Sequence, residues 1–421
     1  MQRSLYAAVS GMRNHQTRMD IIGNNIANVN TTAFKSSRVR FQDILSQTLR
    51  GASGPQEGRG GINPIQVGLG MSIAAIDNNH TQGSLQYTGR SNDLAIEGSG
   101  FFIVSDGRAN FYTRDGAFSL GPDGLLVNSA SGYRLQGWSI NSEGVIDTSA
   151  APGNINIPLG GNRIARATDN VFFAGNLNAS EADSKEYSIS TVVYDSQGNE
   201  YEIEITFTKN DTNEWGLSVQ LIIEDGDPVD LTLSTETINF TPDGNFITLD
   251  GSGNPIEYTV TIPSGQLANG AEDDLDINLN FFNLTQVVGP MDALARYQDG
   301  YSSGVLDAFT ISKTGIISGV YDNGMVKDLG MVALAGFANP EGLSKIAGNM
   351  YQVSANSGQP LIGEPGQQGL GTIEASTLEM SNVDLVSEFT DMITTSRAFQ
   401  ANSRVISTSD DMLVEVVNLK R

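Results

Sequence analysis

Two stretches of the chain repeat apolar residues in alternating steps of four and three, and they lie at its two ends. Near the start, Leu5, Val9, Met12, Met19 and Ile26 follow this series, with Gln16 and Gly23 filling its gaps. Residues three and four apart share one face of an α-helix, so the series predicts a helix over 3–27 with a heptad-type stripe. At the far end Leu385, Phe389, Met392, Phe399, Ile406, Leu413 and Val417 form a second series, with Ser396, Ser403 and Asp410 as its polar members. A parallel line of Val386, Ile393, Val405, Met412 and Val416 widens that stripe. Ser381 reads as its N-cap, with Asp384 three residues on and a Met380–Leu385 staple, giving a helix over about 382–418.

Fully burying one large apolar side chain is worth about 1.5–3 kcal/mol. Two such stripes therefore need cover. A helical hairpin between the two ends of one chain is one solution. The breadth of the second stripe points to more neighbours than one helix supplies, and so to other copies of the chain. Both arrangements fit the pattern. In a free monomer the ends are expected to lack order, because their stripes lack partners.

Between the ends the period changes to two. Phe101-Phe102-Ile103-Val104 precedes the turn signal Asp106-Gly107, and Phe111-Tyr112-Thr113 and Phe118-Ser119-Leu120 follow. Gly121-Pro122-Asp123-Gly124 is a turn before Leu125-Leu126-Val127, so a β-meander is predicted. Further on, Thr191-Val192-Val193-Tyr194 and Tyr201–Phe207 flank Asp195-Ser196-Gln197-Gly198-Asn199; the second run alternates, which predicts one wet face. Asp243-Gly244 and Asp250-Gly251 mark further hairpins, and 51–70 is a Gly-rich linker or arm.

Charge divides the chain in the same way. Of its 421 residues, 171–290 hold 21 of the 48 acids against Lys185 and Lys209 alone, whereas 1–50 hold seven bases and two acids. The net charge of −24 makes duplex nucleic acid an unsuitable partner, because phosphate binding needs clustered Lys and Arg. An acidic middle is best solvated on the outside. No apolar run reaches the roughly 18 residues of a membrane span, so no membrane insertion is expected. Met1-Gln2-Arg3-Ser4-Leu5 starts no secretory signal pattern, so none is expected.

Candidate chemistry is sparse. Cysteine is absent and His15 and His80 are the two histidines, which excludes thiolate zinc sites and leaves little for a triad. His15 lies off the main stripe and reads as an interface or surface residue. Phosphate-loop, nucleophile-elbow and zinc-helix motifs do not occur. Glu224–Asp230 and Glu272–Asp276 are acidic loops without calcium-loop spacing and read as solvated. No catalytic residue, cofactor or metal is expected.

One segment is more specific. Asn24-Asn25-Ile26-Ala27-Asn28-Val29-Asn30-Thr31-Thr32-Ala33-Phe34-Lys35 closely resembles the signature of flagellar axial proteins of the rod and hook group. Ala33 stands where that pattern has Gly; if φ is positive there, Ala costs about 1 kcal/mol. Asn92–Phe102, Arg114–Phe118, Tyr133–Trp138, Gly300–Gly304, Leu334–Leu343 and Leu378-Glu379-Met380-Ser381-Asn382-Val383-Asp384-Leu385 resemble later parts of the group, in the same order. The roughly 140 residues between the matching halves, 150–290, resemble the insert of the hook members and not the distal rod, as does Phe173–Asn178.

The resemblance implies a multidomain α+β chain. Terminal helices over 1–30 and 376–421 form a coiled-coil-like inner domain. An arm takes 31–75 and 360–375. A β-rich middle domain takes 76–150 and 290–359, and an acidic β-rich outer domain, 151–289, is inserted in it. It implies a structural, non-enzymatic subunit that polymerises with itself into a hollow, flexible, curved tube. Its implied partners are distal rod, hook cap and hook–filament junction proteins and the flagellar export apparatus, which needs no cleaved signal. Asn24, Asn25, Asn28, Thr32, Phe34, Lys35, Ser381, Asn382 and Asp384 are then signature positions at contacts between subunits. The competing readings are a distal rod protein and, from another class, an acidic β-rich enzyme or adhesin.

Overall fold

The heptad-patterned ends are helical. Helix α1 spans Gln2–Ala27 and α2 spans Leu385–Asn418. The computed structural model describes residues 2–55, 60–141, 144–158, 163–223, 227–249, 255–267 and 274–418. The loops 224–226 and 272–273 and the turn Asp250-Gly251 lie outside the described residues.

Helix α2 starts three residues later than the capping-box reading placed it. Its cap is Asp384, whose Oδ1 accepts from the Val386 N–H at 3.0 Å. Ser381 instead takes the Val383 N–H in a local turn. The reason lies in Asn382. Its N–H donates to the Phe34 carbonyl, its Oδ1 accepts from Ser36 N–H, and its Nδ2 reaches the carbonyls of Asn79 and Thr81. These bonds hold 381–383 extended.

The chain divides into two units. One comprises Met1–Ile157, Thr310–Ser318 and Asp328–Arg421; the other comprises Pro158–Phe309 and Gly319–Lys327. In the first, β1 (Ser37–Asp43) and β2 (Ser46–Arg50) run out along an arm, and β3 (Ile65–Gly68) and β4 (Met71–Asn78) return. β1 pairs with β4 and β2 with β3, both antiparallel. Beyond the arm, Phe101–Ser105 pairs with Asn110–Thr113, with Arg134–Ser139 and with Leu334–Gly336. Phe101, Ile103, Tyr112, Trp138, Leu343 and Tyr351 form the core on one face of this sheet.

The predicted meander is interrupted. Phe118–Leu120 pairs with Leu126–Asn128 across the Gly121–Gly124 turn, yet not with Asn110–Thr113. Gly116 is drawn to Leu94 instead, whose N–H donates to its carbonyl at 3.0 Å. A Cβ at Gly116 would collide with the Leu94 backbone, so the approach needs glycine. Residues 361–363 and 372–375, expected in an arm, are strands paired with Leu334–Gly336 and Leu94–Glu97.

Among its described residues the second unit is mainly β-structure, with a short 3-10 turn at Ser264–Gln266. Glu200–Asp211 buries Ile203, Ile205 and Phe207 while Glu202 and Glu204 stay partly wet, as its alternation predicts. It pairs with Glu186–Tyr194 and Glu214–Ile222. A second sheet sets Asn170–Asn176 parallel to Leu275–Thr285 and antiparallel to Leu294–Gln298. Phe173, Phe207, Trp215, Tyr258 and Phe281 join the two sheets in one core.

Candidate functional site

The two helices run antiparallel: Gly11 meets Asn402, the Arg18 guanidinium reaches Asp391 at 3.0 Å, and Asn25 Nδ2 donates to Glu388 at 2.9 Å. Their seam matches the predicted stripe only in part: on α2 it includes Met392, Phe399, Ile406 and Leu413, while on α1 it is displaced. On α1 the buried residues are Ala8, Gly11, Ile22 and Asn25, on the same face as His15 and Arg18. That line is one residue out of step with Leu5, Val9, Met12, Met19 and Ile26, which are all half-buried. On α2 the buried residues are Thr395 and Ser409. Small and polar side chains make the close approach; a Cβ at Gly11 would stand 2.7 Å from Asn402 Nδ2.

The apolar stripe of α2 therefore remains available. Phe389 is 50% exposed, Ile393 56%, Val386 76% and Val417 66%. Leu385, Val405, Met412 and Val416 are also exposed, whereas Met392, Phe399, Ile406 and Leu413 are half-buried along the seam. The arm adds exposed Ile44, Leu45, Leu49, Ile65 and Val67. So many exposed large apolar side chains on these elements point to interaction surface.

The foot of the helix pair is held by an ionic node. Lys35 Nζ donates to Glu379 Oε1 and to the Thr81 carbonyl, each at 2.7 Å. The Gly83 N–H gives the same carboxylate oxygen a bond of 2.8 Å. Arg114 Nη1 reaches Glu379 Oε2 at 3.3 Å, and its Nη2 donates to the Gly98 carbonyl at 2.7 Å. Lys35 and Glu379 side chains are completely buried. Burial pushes the Lys35 ammonium and the Arg114 guanidinium below their ordinary values, against the pull of the carboxylate.

The signature residues converge here. Asn25 brackets Ser37, donating to its carbonyl and accepting its N–H. Asn28 bonds the Asn24 carbonyl and the Thr31 hydroxyl. The Thr32 carbonyl accepts from Asn349, and the Lys345 ammonium stands 4.2 Å from the centre of the Phe34 ring. Ala33 has φ +56°, the left-handed geometry its place in the signature anticipates, and its N–H donates to the Glu379 carbonyl at 2.8 Å. Asn25, Phe34, Lys35 and Ser381 are thus buried inside the subunit, not on a face toward a neighbour; Asn24 and Asp384 are exposed.

Sequence reasoning missed Glu379 and Arg114 as partners of Lys35, and the seam residues Arg18, Asp391, Glu388 and Asn402. The available signal was a lone acid between Leu378 and Met380 and a lone base after Ala33-Phe34. His80 was also passed over. It lies against Phe101 and Tyr351, ring centroids 5.6 and 5.1 Å away. Burial, reinforced by Lys35, Arg114 and Lys345, pushes its imidazole down to about 4.

That shift has a signed consequence. The unfolded chain takes up a proton on His80 near its ordinary value, while the folded chain resists until about pH 4. The contribution is complete above the unfolded value and is lost as pH falls from about 6.5 to 4. Between pH 7 and 4.5 the wild-type chain should lose about 2 kcal/mol more in urea denaturation than His80→Leu does.

Comparison with known proteins supplies the context. Family models match at 5–35 (flagella basal body rod protein), 95–171 (flagellar hook protein FlgE/F/G D1 domain), 162–301 (flagellar basal body protein FlaE D2 domain) and 374–419 (flagellar basal body rod FlgEFG protein C-terminal). The flagellar hook protein FlgE of Borreliella burgdorferi is 42% identical over 448 residues, covering 100% of both chains. The flagellar basal-body rod protein FlgG of Bacillus subtilis is 31% identical, again over 100% of both. The crystal structure of Helicobacter pylori flagellar hook protein FlgE2 shares the fold at TM-score 0.50 and 15% identity, covering 70% of this chain and 100% of that one. With 42% identity to a hook protein along the entire length of both chains, and the D1 and D2 family segments in order, the chain belongs to the flagellar hook protein family.

Proposed function

We propose that copies of this chain polymerise into a hollow, flexible, curved tube, a universal joint carrying torque from the motor to the filament. The observation that carries the reading is the uncovered apolar stripe of α2, half or more exposed at Val386, Phe389, Ile393, Met412, Val416 and Val417. A stripe this long finds cover only on other copies once α1 has taken the polar seam. Leu5, Val9, Met12, Met19 and Ile26 with Leu385, Phe389, Met392, Phe399, Ile406, Leu413 and Val417 pack the inner layer, and a contact that does not close on itself extends as a helical polymer.

Residues 1–30 and 376–421 form the inner domain; the boundary expected at 290 moves to about 309, because Leu294–Gln298 pairs with Asn170–Asn176, so about 158–309 form the inserted acidic domain that faces solvent and the β-structure of the first unit forms the middle one. The chain leaves the cell through the flagellar type III system. It meets the distal rod, hook cap and junction proteins at the tube's ends and has no enzymatic role. The signature residues hold the helical foot at a fixed angle to the β-structure that follows it.

Electron microscopy tests this. The purified full-length chain should form hollow tubes, and one lacking 1–23 and 386–421, which keeps Glu379, should stay monomeric. Tubes from the shortened chain would sink the inner-layer role of the helices.

A further inference from the structure

A cavity of about 280 Å3 lies beside the ionic node, in the same unit. Its walls are apolar at Phe101, Phe337, Leu361 and Leu370, polar and buried at Arg114, polar beside it at His80, and polar at Ser99 and the exposed Gln368. Arg114 is 4% exposed and its Nε–H has no partner, although its two terminal nitrogens are engaged with Glu379, Ile96 and Gly98. Neither ring nitrogen of His80 makes a hydrogen bond of ordinary geometry, with the Pro340 backbone as its polar neighbour. Buried donors of this kind are costly unless something answers them.

The local charge says what that is. The charged groups bearing on His80 are Lys35, Arg114 and Lys345, all positive, and Glu379 is the carboxylate paired among them. This leaves a positive surplus in a chain whose net charge is −24. An anion is favoured, and one with few acceptors to satisfy, because one guanidinium N–H and one neutral imidazole N–H are on offer. A phosphate dianion would keep oxygens unpaired against the apolar walls. Size is ample, since an apolar cavity of about 150 Å3 holds a benzene ring.

We propose that this pocket binds a monocarboxylate with an apolar body, the carboxylate on Arg114 and His80 and the body against Phe101, Phe337 and Leu370. The same chemistry is supplied by a free aromatic or branched-chain acid or by an acidic side chain of a neighbouring copy.

Benzoate is the probe, titrated into the full-length monomer by calorimetry and by ligand-observed NMR. Saturable binding is expected, with benzyl alcohol at least tenfold weaker. His80→Leu should weaken benzoate about tenfold, and Ala338→Trp, which fills the cavity from an exposed rim position, should abolish it. Neither change touches the Lys35–Glu379 pair, and circular dichroism confirms that each variant folds. Equal binding of benzyl alcohol, no saturation in the wild-type chain, or benzoate binding that survives Ala338→Trp would each overturn the site. The assembled tube separates the sources: retained benzoate binding there supports a free acid, and binding lost on assembly supports a neighbour's carboxylate.

Discussion

Glu379→Ala should destabilise the helix-bearing unit by about 3–5 kcal/mol, the range for removing one partner of a buried ion pair. The size follows from what remains. Lys35, with a wholly buried side chain, and Arg114, 4% exposed, would both keep their charges without a counter-ion. The Gly83 N–H would lose its acceptor as well. Burial already holds both cations below their ordinary values with the carboxylate present, so desolvation outweighs pairing even in the intact node. Lys35→Met should cost less, about 1–3 kcal/mol, because Glu379 keeps Arg114 and Gly83, and the Thr81 carbonyl loses its shorter bond but keeps Asn382 Nδ2. Urea denaturation followed by near-ultraviolet circular dichroism ranks the two. If Glu379→Ala costs no more than Lys35→Met, the node is wetter than its burial implies and does not anchor the foot.

The node has a purpose that stability alone does not explain. An apolar trio of similar volume would often be as stable as a buried ion cluster. What charges add here is position: Glu379 accepts from Lys35, Gly83 and Arg114, three separate stretches of chain. Lys35 follows α1 and Glu379 precedes α2, so both helices leave the β-structure at a set point. The proposed passage of torque through the helices would require that joint to be fixed.

Much of this was legible from periodicity. The 3.5-residue spacing located both helices, and strict alternation gave Glu200–Asp211 its wet and dry faces. Three features were hidden for distinct physical reasons. The seam runs through Gly11, Asn402, Thr395 and Ser409, residues that a hydrophobic count passes over, because close helix approach rewards smallness as much as apolarity. The parallel pairing of Asn170–Asn176 with Leu275–Thr285 joins strands far apart in sequence, which no local pattern encodes. The start of α2 was misplaced because Asn382 is used up by bonds to Phe34, Ser36, Asn79 and Thr81, partners visible only once the fold brings 34–36 and 79–81 beside it. Lys35 was named as a signature residue, but its counter-ion lies at the other end of the chain.

The displaced seam makes a second strong expectation. Phe389→Ser combined with Ile393→Ser should leave the monomer within about 0.5 kcal/mol of wild type, since both side chains are half exposed or more there. Assembly should respond very differently. Fully burying a large apolar side chain is worth about 1.5–3 kcal/mol; with about half of each still to be covered, the pair removes about 1.5–3 kcal/mol from each subunit addition. At about 1.4 kcal/mol per tenfold, the critical concentration for tube growth should rise by about one to two orders of magnitude. Sedimentation of polymer across a concentration series measures it, with urea melts of the monomer as the control. Gly11→Val supplies the converse case, because its side chain meets Asn402 across the seam inside one chain. It should loosen the helix pair of the monomer itself. Should the double serine variant assemble at the wild-type concentration, the exposed stripe faces water in the tube. The inner layer would then have to be built on the arm's Ile44, Leu45, Leu49, Ile65 and Val67 instead.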